Sequence, residues 1–292
     1  MSLSVRSFFH GATSTWSYLV ADSTTHVAAI IDPVLDFDSA SGRVWHECAK
    51  RLLEPVRTNA LRVDWILETH AHADHLTAAA WLKGALECDG DAPNVAVGAG
   101  IVDVQNHFAQ VLGLGDDFIS SGSQFDHLFV DDERFNIGSL EVQVIATPGH
   151  TPDSICYRIG DALFVGDTLL APRLGTARCD FPGGDAAMLY RSIQRLYELP
   201  DATRVFLCHD YPAADSAPLS ETTIAAQKSE NVQLRGDTIE GDYVAMRAKR
   251  DATLAVPKLL YPALQVNICA GRLPEADAQG RRFLRVPLRV ED

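Results

Sequence analysis

Residues 63–75 read Val63-Asp64-Trp65-Ile66-Leu67-Glu68-Thr69-His70-Ala71-His72-Ala73-Asp74-His75. The first half, Val63–Glu68, is an apolar run of strand length. The second half places His70, His72, Asp74 and His75 within six residues, directly after that strand. At a strand exit the backbone neither alternates nor spirals, so side chains close in sequence can converge. Imidazole and carboxylate suit zinc and iron alike. The Ala-rich segment that follows, with its Leu and Trp, predicts a helix from about Asp74 to Leu86.

Three further candidates lie just beyond other expected strands. His150 stands in Thr147-Pro148-Gly149-His150-Thr151, Asp167 in Phe164-Val165-Gly166-Asp167, and His209 in Leu207-Cys208-His209-Asp210. In α/β folds, strand ends along one edge of a sheet are where ligand sites form. One such histidine alone would be read as a polar loop residue. Several of them, with Asp74 and Asp167 and all at strand exits, argue for a metal centre.

Upstream, Val5–Phe9, Trp16–Val20 and Val27–Ile31 read as strands, the last stopped by Asp32-Pro33. Val44, Cys48, Leu52 and Val56 are spaced four apart, which predicts a helix from Ser39 to about Val56. Downstream the scheme repeats: strand Asn94–Val97, helix Ile101–Leu112, and two or three strands over Phe129–Ile145. Strands Ser154–Ile159 and Ala162–Val165, helix Asp185–Glu198 with Asp185 as N-cap, and strand Arg204–Cys208 follow. From Ser220 a helix to about Leu254 is expected, then extended chain carrying Pro257, Pro262, Pro274 and Pro287. The expected fold class is α/β: an αββα sandwich of two packed mixed sheets with helices on both outer faces. Residues 1–219 would form the core, and 220–292 a C-terminal extension packed on it.

The chain of 292 residues is 47% hydrophobic and 22% charged, enough to bury a substantial core without disulfides. A net charge of −14 and the absence of any basic run argue against nucleic acid as a partner. One or two well-placed arginines could still hold an anionic small molecule. The six cysteines are scattered with no C-x-x-C pair, the pattern of free thiols in a reducing compartment. Met1–His10 carries no signal-peptide pattern, and no apolar stretch has the length of a membrane span. A soluble, cytoplasmic protein without membrane contact is expected.

THAHADH (69–75), TPGHT (147–151), VGDTL (165–169) and CHDY (208–211) resemble the successive motifs of the metallo-β-lactamase superfamily, from about Phe8 to His209. The resemblance implies the same αββα sandwich. In hydrolases of that superfamily, such as glyoxalase II, the matching positions form two adjacent sites. His70, His72 and His150 would hold one metal, Asp74, His75 and His209 the other, and Asp167 would bridge them. Water between two such metals becomes a nucleophile near neutral pH.

Other segments are similar to the persulfide dioxygenase branch: Thr69–His75, Arg178-Cys179-Asp180-Phe181, Gly184-Asp185 and His209-Asp210-Tyr211. That resemblance implies one Fe(II) per chain on His70, His150 and Asp167, with His72, Asp74, His75 and His209 as supporting groups or an empty second site. The implied reaction converts glutathione persulfide, or another thiol persulfide, and O2 to sulfite and thiol. Asp74 and Tyr211 would be catalytic. Arg178 would grip the glutathione side of the substrate, unless it forms a structural salt bridge. Two features depart from the branch: Cys179 stands where threonine is common, and the spacing from Asp167 to Arg178 is longer.

The competing reading is a thioesterase similar to glyoxalase II with one or two Zn(II), which the full set of seven ligands favours. A non-catalytic scaffold would have lost ligands, a nuclease would be less acidic, and an antibiotic-degrading lactamase would not be cytoplasmic. Among weaker features, Cys179 is expected to be a small buried residue, and His10 and His127 structural. Helix residues Arg247, Lys249 and Arg250 are expected on a solvated charged face. Leu259-Leu260-Tyr261 with Leu264, Val266 and Ile268 could cover a homodimer interface.

Overall fold

The computed structural model describes residues 2–213, 216–288 and 290. The chain starts with a long hairpin, β1 (Leu3–His10) and β2 (Thr15–Asp22), in continuous antiparallel register from Leu3 opposite Asp22 to His10 opposite Thr15. β3 (Val27–Ile31) pairs antiparallel with β2. β4 (Val34–Asp38) and β5 (Arg43–Trp45) then lead into α1 (Glu47–Thr58). β6 (Arg62–Leu67) returns parallel to β3. After β7 (Leu76–Thr77) and α2 (Ala79–Asp89), β8 (Asn94–Gly98) adds parallel to β6. α3 (Ile101–Leu112) leads to β9 (His127–Phe129), which completes a sheet ordered β1-β2-β3-β6-β8-β9.

The second sheet starts as an antiparallel meander: β10 (Arg134–Ile137), β11 (Leu140–Ala146), β12 (Ile155–Ile159) and β13 (Ala162–Phe164). Crossing through α4 (Ala186–Tyr197), β14 (Arg204–Phe206) joins parallel to β13, and β15 (Glu221–Thr223) closes the edge. α5 (Ile224–Glu230), α6 (Glu240–Asp251) and α7 (Leu260–Asn267) follow. A small sheet, β5-β4-β7, sits beside the two large ones.

Strand periodicity explains the layering. In β2, Tyr18 and Val20 point into the core between the sheets, and Leu19 and Ala21 into the core under the helices. β3 divides likewise, with Ala29 and Ile31 facing one way and Ala28 and Ile30 the other. Such strands are covered on both faces and so read as unbroken apolar runs. The helix-side core of the first sheet takes residues from α1, α2, α3 and α7, and that of the second from α4, α5 and α6. The result is the expected αββα sandwich.

Four sequence expectations need correction. The helix expected from Asp74 begins only at Ala79, because Leu76 and Thr77 pair with β4 and keep the histidine segment as a loop. The helix expected from Ser39 begins at Glu47. Asp38 takes up the amide of Ala40 and the hydroxyl of Ser41 in a turn, and Asp36 accepts from the Cys48 amide at the true helix start. The single helix expected over 220–254 is broken. Thr223 caps α5, and the Asn231 side chain accepts from Gln233 and Leu234, which stops the helix. The stretch expected to be extended holds α7, whose Pro262 sits in the first turn, where no amide donor is needed.

Of the apolar residues suggested for a homodimer interface, Leu259, Leu260 and Tyr261 are partly buried against the helix-side core of the first sheet. Leu264, Val266 and Ile268 are buried in the helix-side core of the first sheet. No helix among the described residues is long and apolar enough to cross a membrane.

Candidate metal centre

Strand ends at one edge of the two sheets deliver the candidate ligands. β6 feeds the loop of His70, His72, Asp74 and His75; β11 leads to His150, β13 to Asp167 and β14 to His209. Gly166 makes one approach feasible. Its φ is +51°, and a Cβ there would lie 2.5 Å from Thr69 Oγ1 and 3.4 Å from His70 Nδ1.

The ligand atoms gather in two groups, each with all atoms within 4.8 Å of one another: His70, His150 and Asp167, and His72, Asp74, His75 and His209. Asp167 faces both. Its Oδ2 lies 3.6 Å from His150 Nε2 and 3.8 Å from His70 Nε2, and its Oδ1 lies 3.4 Å from His209 Nε2. His209 Nε2 is also 3.2 Å from Asp74 Oδ2. His72 lies between the two groups: its ring centroid is 3.9 Å from that of His70 and 4.2 Å from that of His75, and its ligand atom gathers with the second group. Asp32 takes His72 Nε2 at 3.1 Å, which leaves Nδ1 for the site.

The other imidazoles are held in the same manner. His150 Nδ1 donates to the Arg178 carbonyl at 2.6 Å, and His209 Nδ1 to the Ser14 carbonyl at 3.2 Å. The Thr69 hydroxyl donates to Asp32, so it accepts from His70 Nδ1 at 3.2 Å. Each partner fixes the tautomer and leaves the opposite nitrogen for the site. Burial, reinforced by neighbouring imidazoles, holds His70 and His72 well below the usual histidine range, so both are neutral with a lone pair to offer.

A divalent metal fits this set. Among the described residues, His72 Nδ1, His75 Nε2, His209 Nε2 and Asp167 Oδ1 are buried without a hydrogen-bond partner. Orphaned buried polar atoms are costly, and here they converge. A cation bound to them removes that cost.

The centre opens into a pocket of about 630 Å³ whose wall includes Asp74, His150, Asp167, Tyr211, Thr13 and Arg178. The Tyr211 ring lies parallel to that of His209, 6.0 Å away. Arg178 gives its fork to Asp180, two bonds of 2.6 Å, and one further N–H to the Ala255 carbonyl at 2.7 Å. Arg250 and Lys258 also line the mouth. Arg247 does too, but it is 1% exposed rather than on a solvated face. Asp251, one turn along, neutralises it, and Thr176 O and Gln233 Oε1 accept from Nη1. Cys179 is buried, with its thiol pushed up to about 12, chiefly by that burial.

Sequence reasoning missed the residues behind the ligands. Asp32 was visible only as a strand stop. Asp153, which accepts from the Ala71 amide at 2.7 Å, gave no signal, nor did Asn267. Cys208, whose sulfur lies close to Asp167 and His209, stood in a quoted motif but without a role.

Residues 10–209 match the sequence profile of the metallo-beta-lactamase superfamily. The chain is 45% identical to a probable metallo-hydrolase of Burkholderia pseudomallei, over 98% of this chain and 99% of that one. It is 44% identical to a glyoxylase B2 of Dictyostelium discoideum, over 94% and 93%. It is 28% identical to the mitochondrial persulfide dioxygenase ETHE1 of Bos taurus, over 79% and 75%. Among solved structures, ETHE1 from Myxococcus xanthus superposes with a TM-score of 0.72 at 30% identity, covering 93% of this chain and all of that one. With the fold, the ligand loop and these relatives in agreement, the chain belongs to the metallo-β-lactamase superfamily, whose members among these relatives are metal-dependent hydrolases or dioxygenases.

Proposed function

We propose that this enzyme is an Fe(II)-dependent persulfide dioxygenase acting on glutathione persulfide or a related thiol persulfide. The observation that carries the reading is the set His70, His150 and Asp167, whose ligand atoms lie within 4.8 Å of one another, with His150 and Asp167 on the pocket wall. Two histidines and one carboxylate would leave positions on an Fe(II) ion for a substrate sulfur and O2 together. The overall change balances as RSSH + O2 + H2O → RSH + SO3²⁻ + 2 H⁺. The terminal sulfur is oxidised, O2 is reduced, and the S–S bond breaks.

The chain's own groups handle the rest. His150 is held by the Arg178 carbonyl, so its Nε2 stays aimed at the centre. Tyr211 and Asp74 on the pocket wall act as the catalytic pair, one donating a hydrogen bond and the other accepting one from incoming water. Arg178 keeps two of its five N–H groups free of Asp180 and Ala255, enough for a substrate carboxylate. Arg250 and Lys258 make the mouth cationic on a chain of net charge −14, which suits an anionic carrier thiol. Six free cysteines accord with a reducing, cytoplasmic setting.

A second reading, a binuclear Zn(II) thioesterase, draws on the complete group His72, Asp74, His75 and His209 and on the relatives named metallo-hydrolase and glyoxylase. An oxygen electrode separates the two. Iron-loaded protein given glutathione persulfide should take up O2 and release one sulfite for each O2 consumed. No uptake by protein that retains its iron, together with thioester hydrolysis by the zinc form, would establish the second reading.

A further inference from the structure

We infer that Asn267, from the C-terminal segment beyond the matched superfamily region, is a positioning residue that sets the ligand loop of the metal centre. The residue closes α7 and is 4% exposed. Its Nδ2 donates to the carbonyls of His72 (2.7 Å) and His75 (2.8 Å), and its Oδ1 accepts from the Thr77 amide at 2.8 Å. One side chain thus satisfies three backbone groups of a buried loop that has few partners of its own.

The clamp acts at the right place. The near end of the loop is tied by Asp32, through Thr69, and by Asp153, through the Ala71 amide. Among the described residues, Asn267 is the side chain from outside the loop that bonds its backbone at 72, 75 and 77. It draws the carbonyls of His72 and His75 onto one amide nitrogen. That fixes the spacing of the two imidazoles whose Nδ1 and Nε2 lie unpartnered beside Asp74 and His209.

A second contact from the same segment agrees. Gly271 has φ +81°, and a Cβ there would sit 2.8 Å from the Ala80 amide nitrogen and 3.2 Å from the Thr77 carbonyl. Only glycine lets the chain press this closely against the end of the ligand loop. The inference concerns metal binding at the His72, Asp74, His75 and His209 group and not the substrate, so it does not depend on which reaction the pocket serves.

The test is a Zn(II) binding isotherm of metal-free protein, measured in competition with a chromophoric chelator. Asn267→Asp keeps the shape but replaces the amide donors with an acceptor facing two carbonyls; Asn267→Ala removes the clamp. Each should bind Zn(II) about 10–100-fold more weakly than the unmodified chain. Gln265→Ala is the control. That amide on the same helix also carries three backbone bonds, to Tyr261 O, Arg285 O and Arg285 N, and touches no ligand. Its isotherm should match the unmodified chain.

Asn267 variants that superimpose on the unmodified chain, or a Gln265→Ala isotherm that falls as far, would overturn the inference. If both Asn267 variants fail to fold, Asn267→Ser can return one hydrogen bond to the loop. Its Zn(II)-induced rise in Tm should then be smaller than that of the unmodified chain, and an equal rise would overturn the inference.

Discussion

Each of four imbedded imidazoles at the centre commits one ring nitrogen to the protein: His70 to Thr69, His72 to Asp32, His150 to Arg178 O and His209 to Ser14 O. That division makes a histidine cluster a ligand set, because a ring anchored through one nitrogen has only the other to offer a metal. The ligands are legible in sequence, since His-x-His-x-Asp-His after a strand has few other uses. Their supports are not. Asp153 reaches Ala71 across 82 residues and Asn267 reaches His72 across 195, distances over which a single sequence carries no pairing signal. The cysteines are a simpler case. Burial first, helped at Cys48 by Asp36, lifts Cys48 and Cys156 to about 11 and Cys179 to about 12. At pH 8 an aromatic disulfide reagent should therefore label exposed Cys88 promptly, Cys269 more slowly, and the buried thiols only after denaturation. Prompt labelling of Cys179 would contradict its placement in the core.

At the scale of elements, regular periodicity gave the bounds of α3 correctly, and side-chain diversions of the backbone defeated it elsewhere. The Asn231 break and the α7 start at Leu260 depend on hydrogen bonds and packing that apolar spacing does not encode. α6 shows the same limit for charge. Its Arg247 reads as a surface cation, yet Asp251, Thr176 and Gln233 satisfy it in the interior. Arg247→Met leaves Asp251 buried and largely uncompensated, and should lower stability by about 3–5 kcal/mol in urea unfolding. A loss under 1 kcal/mol would show the pair to be exposed in solution.

Asp22, at the end of β2, ties the first sheet to the β10–β11 turn. It accepts from the Ser139 hydroxyl and amide, and from Thr25. The Ser139 bonds, foremost, hold its carboxyl well below the usual range. A depressed folded-state value means the stabilisation is full above the unfolded value of 3.8 and fades as the pH falls below it. Asp22→Asn should cost about 1–3 kcal/mol at pH 7, and the gap to the unmodified chain should narrow below pH 3.8. A gap that stays constant into acid would remove the carboxylate from the account.

For the molecule as a whole, two sheets that share an inter-sheet core bring strand exits from both halves to one edge, and the C-terminal segment closes the pocket there. The sandwich follows from strand order and apolar alternation, so it is legible in the sequence. The pocket mouth is not, because Arg178, Arg250 and Lys258 meet only after α6 has packed against α4. The central claim is that the working metal sits on His70, His150 and Asp167. The direct measurement is iron per chain after anaerobic Fe(II) loading and desalting, for His150→Ala and for His75→Ala. His150→Ala should lose its iron, while His75→Ala should keep close to one per chain. Iron retained by His150→Ala, or lost as fully from His75→Ala, would contradict the assignment.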